Sequence, residues 1–145
     1  EICKVKSIEK QQAIIGVFFR DSDGTNSSDR LLWRDKRQSI IDGFLRAEFS
    51  TGVAMVPKTK SECWIICAVK DKPYENCEKL EDLSGNDKSP KNAPKKILEE
   101  ILKKPYDAEI LIELVKNNCV DPERINMPSF NIFRSDLINV IKKIR

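Results

Sequence analysis

Histidine is absent from this chain. Its absence excludes Ser-His-Asp and Cys-His nucleophilic catalysis, His-ligated metal nucleases and zinc hydrolases of the usual kinds. Chemistry at neutral pH must then rest on carboxylates, lysines and a bound metal. Long hydrophobic runs are missing as well. No apolar stretch approaches the length of a membrane span, and no segment resembles a signal peptide. The chain opens on Glu rather than Met, which leaves room for an upstream segment. Cysteine offers no regular framework: Cys3, Cys63, Cys67, Cys77 and Cys119 make an odd set of five. Without an export signal, reduced thiols in the cytoplasm are the expectation. Cys63 and Cys67 can share one face of a helix, with Cys77 joining them. Zinc wants four ligands, however, and no histidine can supply the fourth.

A strong excess of one charge sign is also lacking. The net charge is +3, from 26 Lys+Arg against 23 Asp+Glu, so any basic patch must be local. With 145 residues, 40% apolar and 34% charged, the composition fits one folded domain with one core rather than a disordered chain.

What is present begins with residues 13–19, Ala-Ile-Ile-Gly-Val-Phe-Phe. This continuous apolar run predicts a buried strand covered on both faces. It runs through Arg20 into Asp21-Ser22-Asp23-Gly24. In an α/β sheet, ligands bind beyond the carboxyl ends of the strands. Asp21 and Asp23 are two apart and can lean to one side as the strand ends. Two carboxylates there repel each other unless a cation sits between them, and magnesium is a hard cation suited to oxygen ligands. Gly24 lets the chain turn away. Taken alone, the same residues also read as a surface turn.

A helix is predicted from about 28 or 29 to 47, with Ile40, Ile41, Phe44 and Leu45 inward and Arg34, Lys36 and Arg37 outward. Ser50-Thr51-Gly52 breaks the chain. Residues 53–56 predict a second buried strand ended by Pro57, so the strand–helix–strand order implies parallel pairing. Ser61 reads as the N-cap of a short helix through Glu62, Trp64, Ile65 and Ala68, although a strand fits Trp-Ile-Ile-Cys too. Residues 70–94 form a long polar excursion, of the kind that is functional or mobile. Three helices close the chain, marked by Ile97, Leu98, Ile101 and Leu102, then Ile110, Leu111, Leu114 and Val115, then Phe130, Phe133, Leu137, Val140, Ile141 and Ile144. Asp121-Pro122-Glu123 starts a turn between the last two.

From about Ile14 to Ile141, these stretches resemble a Toprim-like domain family related to bacterial OLD-type nucleases and phage-defence proteins. The first likeness is the apolar strand followed by Asp21-Ser22-Asp23, similar to the family's D-x-D metal motif. The second is Gly52-Val53-Ala54-Met55-Val56-Pro57 leading to Ser61-Glu62-Cys63-Trp64. The third is Asn92-Ala93-Pro94-Lys95-Lys96, and the fourth is Pro128-Ser129-Phe130 with Phe133. Their order favours the metal motif over a simple turn at Asp21 and Asp23. A departure lies at the N-terminus: the family's catalytic Glu-Gly strand end has no match, since Glu1 and Glu9 are poor candidates. The chain is therefore expected to be an N-terminally shortened Toprim-like α/β domain, residues 1–145, with its helical part starting at about 93.

The resemblance implies a Rossmannoid parallel sheet with helices on both sides and a C-terminal helical extension. It implies a metal-dependent phosphodiesterase acting on nucleic acid, DNA first, in prokaryotic defence and beside an ATPase partner. Asp21 and Asp23 would hold Mg²⁺ or Mn²⁺, with Glu62 at the same rim as a ligand, an outer base or merely a helix-start charge. Lys58, Lys60, Lys95 and Lys96, with Lys88 and Lys91, would contact phosphates, solvated loop lysines being the alternative. Trp33 and Trp64 can stack on bases, but their apolar neighbours favour packing, and Phe130 and Phe133 read as core. The other function class is a non-catalytic Toprim-like binding or regulatory module. Strand transfer with a Tyr nucleophile is weaker, since Tyr74 and Tyr106 lie in polar or Pro-flanked segments.

Overall fold

The computed structural model of the chain describes residues 5–6, 12–22, 30–83, 93–105 and 107–145. It is a mixed α/β structure built on a small parallel sheet. Strand β1 (Gly16–Phe19) is followed by helix α1 (Arg30–Arg46) and strand β2 (Gly52–Met55). Next come α2 (Glu62–Val69), a 3₁₀ turn (Cys77–Asp82), α3 (Pro94–Leu102), α4 (Ala108–Lys116) and α5 (Pro128–Ile144). The two strands pair in parallel from Gly16↔Gly52 to Phe19↔Met55, as the strand–helix–strand order predicts.

Helix α1 returns the chain and packs on β2. A Cβ at Gly52 would lie 2.3 Å from Phe44 Cγ, so the absence of a side chain there is what admits the Phe44 ring. Trp33 fixes the other end of the contact by donating its indole N–H to Val56 O at 2.8 Å. The predicted outward face of α1 is more engaged than its charge suggests. Lys36 donates to Ser22 O at 2.8 Å, and Arg37 bonds Asp136 on α5, leaving Arg34 exposed. Leu45, expected inward, is 69% exposed.

The core lies around α2. Cys63, Trp64, Cys67, Cys77, Ile125, Met127 and Phe130 form one buried cluster, with Phe133 packed against it. Trp64 meets Phe130 edge-on at 4.9 Å between ring centroids, a favourable aromatic geometry. These aromatics are therefore packing residues. Helix α5 starts with Pro128 in its first turn, where a missing N–H costs nothing. It packs against β2, so the helical C-terminal part is joined to the sheet. Asp107 caps α4 by accepting from Ile110 N at 3.0 Å, and Asp121 closes its turn by accepting from Glu123 N at 2.9 Å.

Further expectations are corrected. The first strand is not covered on both faces: Val17, Phe18 and Phe19 are 48%, 52% and 49% exposed, since β2 is β1's only partner among the described residues. Within the polar excursion, a 3₁₀ turn buries Cys77 and Glu81. The cysteines are not all reduced: Cys67 and Cys77 form a disulfide with Cα atoms 5.3 Å apart, tying α2 to that turn. Val115 of α4, expected to pack, is also exposed. Among the described residues, no helix is long and apolar enough to cross a membrane.

Candidate functional site

The carboxyl ends of the parallel strands meet in the segment that joins β2 to α2. Beyond β1 the ladder continues, with Arg20 N donating to Met55 O at 3.1 Å and Ser22 N to Pro57 O at 3.3 Å. Side chains then take over. Ser22 Oγ accepts from Thr59 N at 2.9 Å, and Asp21 Oδ1 accepts from Ser61 N at 2.9 Å. The first Asp of the motif thus satisfies an amide at the N-terminus of α2, where a negative charge also suits the helix dipole. Ser61, expected to cap α2 itself, makes no capping bond with its hydroxyl.

Thr59 is held between these anchors in the left-handed region at φ 68° and is fully buried. That backbone is costly for a β-branched residue and persists only where the surroundings fix it. Its Oγ1 lies 3.3 Å from Cys63 Sγ, and that thiol donates to Leu80 O at 3.2 Å. Burial pushes the Cys63 thiol up to about 11, so it stays protonated and packs as a small apolar group.

Lys58 and Lys60 flank Thr59 and are only 9% and 8% exposed, not the solvated loop lysines of the bland alternative. Lys58 pairs with Asp82 of the 3₁₀ turn at 3.2 Å. Beside it, Glu81 is 2% exposed, with Oε1 accepting from Ser129 N at 2.7 Å and from Ser129 Oγ at 2.6 Å. Trp64 Nε1 donates in turn to Ser129 Oγ at 3.1 Å, so the start of α5 is locked to α2 and the turn together. Burial raises the Glu81 carboxyl above the ordinary glutamate value, while the Ser129 bonds and Lys58 pull it back.

The rim brings together Asp21, Lys58, Lys60 and the first turn of α2 with Glu62. It does not include Lys95 and Lys96, which are exposed at the start of α3, where Lys96 pairs with Glu99 at 3.0 Å. Asp23, Lys88, Lys91, Tyr106, Glu1, Glu9 and Cys3 lie outside the described residues. Among the described residues, no group of three or more Cys, Asp or Glu side chains gathers as a metal site. Glu81 and Asp82 had no sequence signal: both sit in a charged, turn-rich stretch that reads as solvated. No family model, curated protein or solved structure matches this chain.

Proposed function

We propose that this chain is a Toprim-like domain whose rim at the carboxyl ends of β1 and β2 binds a divalent cation and a nucleic-acid phosphodiester. The observation that carries the proposal is the 2.9 Å bond from Ser61 N to Asp21 Oδ1. It anchors Asp21, the first acid of the D-x-D motif, to the helix start that bears Glu62, at the end of the sheet where α/β proteins bind ligands. The buried, left-handed Thr59 between two lysines supports a functional rim.

The donor chemistry is that of a hard cation, since Asp21, Asp23 and Glu62 offer only oxygens. A bound Mg²⁺ or Mn²⁺ would polarise the phosphoryl oxygen and stabilise charge on the attacking and leaving oxygens. The chain's own task is positioning: Ser61 orients Asp21, and Asp82 holds the Lys58 ammonium at the rim. In this reading the protein is a metal-dependent nuclease, acting on DNA in a prokaryotic defence system beside an ATPase partner in the cytoplasm. Lys95 and Lys96 supply an exposed basic start to α3 for backbone contact.

A second reading is a non-catalytic binding or regulatory module of the same fold. Two observations favour it: Asp21 is engaged by an amide, and Lys58 by Asp82. Incubation with supercoiled and single-stranded DNA in Mn²⁺ separates the two readings. The nuclease reading predicts cleavage lost with EDTA and in Asp23→Asn and Glu62→Gln. DNA retention without cleavage in any metal supports the module instead.

A further inference from the structure

Between α1, the 3₁₀ turn and the start of α5 lies a cavity of about 440 Å³, within the size range of small-molecule sites. It is lined by Trp33, Arg34, Lys58, Glu81, Asp82, Ser129 and Ile132 among others. It shares Lys58 and its partner Asp82 with the rim described above, and the rest of its lining is not used there. Three features define what it can hold. Trp33 and Ile132 give it an aromatic and an aliphatic wall, and the Trp33 ring is held in place by its bond to Val56 O. Glu81 is almost wholly buried yet lines the cavity. Both bonds from Ser129 fall on Oε1, which leaves Oε2 outside the Ser129 contact. Lys58, itself nine-tenths buried, places a donor beside that carboxyl.

Glu78, Glu81 and Asp82 bring acids to the wall, and Arg34 and Lys58 bring cations, so a ligand that both donates and accepts hydrogen bonds matches it better than a bare ion. An aliphatic ligand would strand the Glu81 carboxyl. A flat heterocycle with an N–H next to a carbonyl satisfies all three features at once. Guanine and uracil or thymine have that edge, stack on indole, and offer the N–H to a carboxylate and the carbonyl to a lysine. We infer that the cavity is a pocket for a nucleobase with that edge, such as guanine, whose N1–H adjoins O6 and so matches the Glu81–Lys58 pair. Arg34, exposed at the mouth, is placed for the attached phosphate. The inference rests on the nucleic-acid reading for the source of the base, but it requires no metal.

The test is calorimetric titration of the full chain with GMP, CMP and ribose 5-phosphate in EDTA. Saturable binding of GMP is expected, weaker for CMP and absent for ribose 5-phosphate. Glu81→Gln, which presents a mixed amide in place of the acceptor pair, should weaken GMP by at least about tenfold. Because Glu81 also anchors Ser129, Ile132→Trp provides the independent check: it fills the mouth from an exposed helix position and should abolish binding. No binding of either nucleotide overturns the inference. So does equal binding of ribose 5-phosphate, which would mark an anion site, or undiminished GMP binding in Ile132→Trp. Since metal is withheld, failure here leaves the metal rim untouched, and success here does not rescue it.

Discussion

At the residue scale, Asp21 serves two purposes that can be separated by substitution. Its carboxylate accepts the Ser61 amide, and its charge is what a cation would need. Asp21→Ala should cost about 1 kcal/mol in urea unfolding, the usual value of a lost helix cap, whereas Asp21→Asn keeps an accepting oxygen and most of the stability. Equal losses in both would show that charge, not capping, stabilises this end of α2. The sequence made Asp21 conspicuous as a strand-end acid but gave no sign of its partner, because the bond spans 40 positions. Lys58 and Lys60 were legible as rim residues, not as buried ones. A lysine enters a structure at its stem, and nothing in local composition says how much of that stem is covered.

Glu81 is the residue whose environment sequence concealed most completely. Its folded pKa is raised above the ordinary 4.5, so the native state holds this proton more tightly than the unfolded chain does. The associated stability is full below about pH 4.5 and is lost as pH rises through the raised value. Thermal melts of wild type and Glu81→Gln across acid to neutral pH isolate this effect. The wild-type melting temperature, taken relative to the variant, should fall with rising pH. A difference independent of pH would contradict the burial of an ionising carboxyl.

At the scale of elements, the Cys67–Cys77 bridge joins α2 to the 3₁₀ turn that carries Glu81 and Asp82. Closing so short a loop is worth about 2 to 3 kcal/mol in chain entropy. Alkylation of the denatured, unreduced protein should leave Cys67 and Cys77 unlabelled and label Cys63 and Cys119. Reduction should then expose both and lower stability by that amount. Labelling of Cys67 and Cys77 without reduction would contradict the bridge. Spacing on a helix placed Cys63 and Cys67 on one face, but the bridge falls to Cys77, ten positions on, in a turn that composition hid. Strand β1 shows the opposite failure. Its apolar run was read as fully covered, yet periodicity reports hydrophobic character and not the presence of a second neighbour, and Phe18 stays half exposed. The crossover helix, the parallel pair and the closing helices were legible, because caps, breakers and 3.6-residue stripes act locally.

At the scale of the molecule, the strands and helices converge on one end of the sheet. β1 delivers Asp21 and Ser22, β2 delivers the strained Lys58-Thr59-Lys60 corner, and α5 closes the adjacent cavity through Ser129. The central claim is that this end holds a divalent cation, and calorimetric titration of the chain with Mn²⁺ tests it most directly, alongside Asp21→Asn and Asp23→Asn checked for fold by circular dichroism. Saturable micromolar binding to wild type, lost in both folded variants, is the predicted result. Absence of binding to wild type, or binding unchanged by either substitution, would contradict the claim.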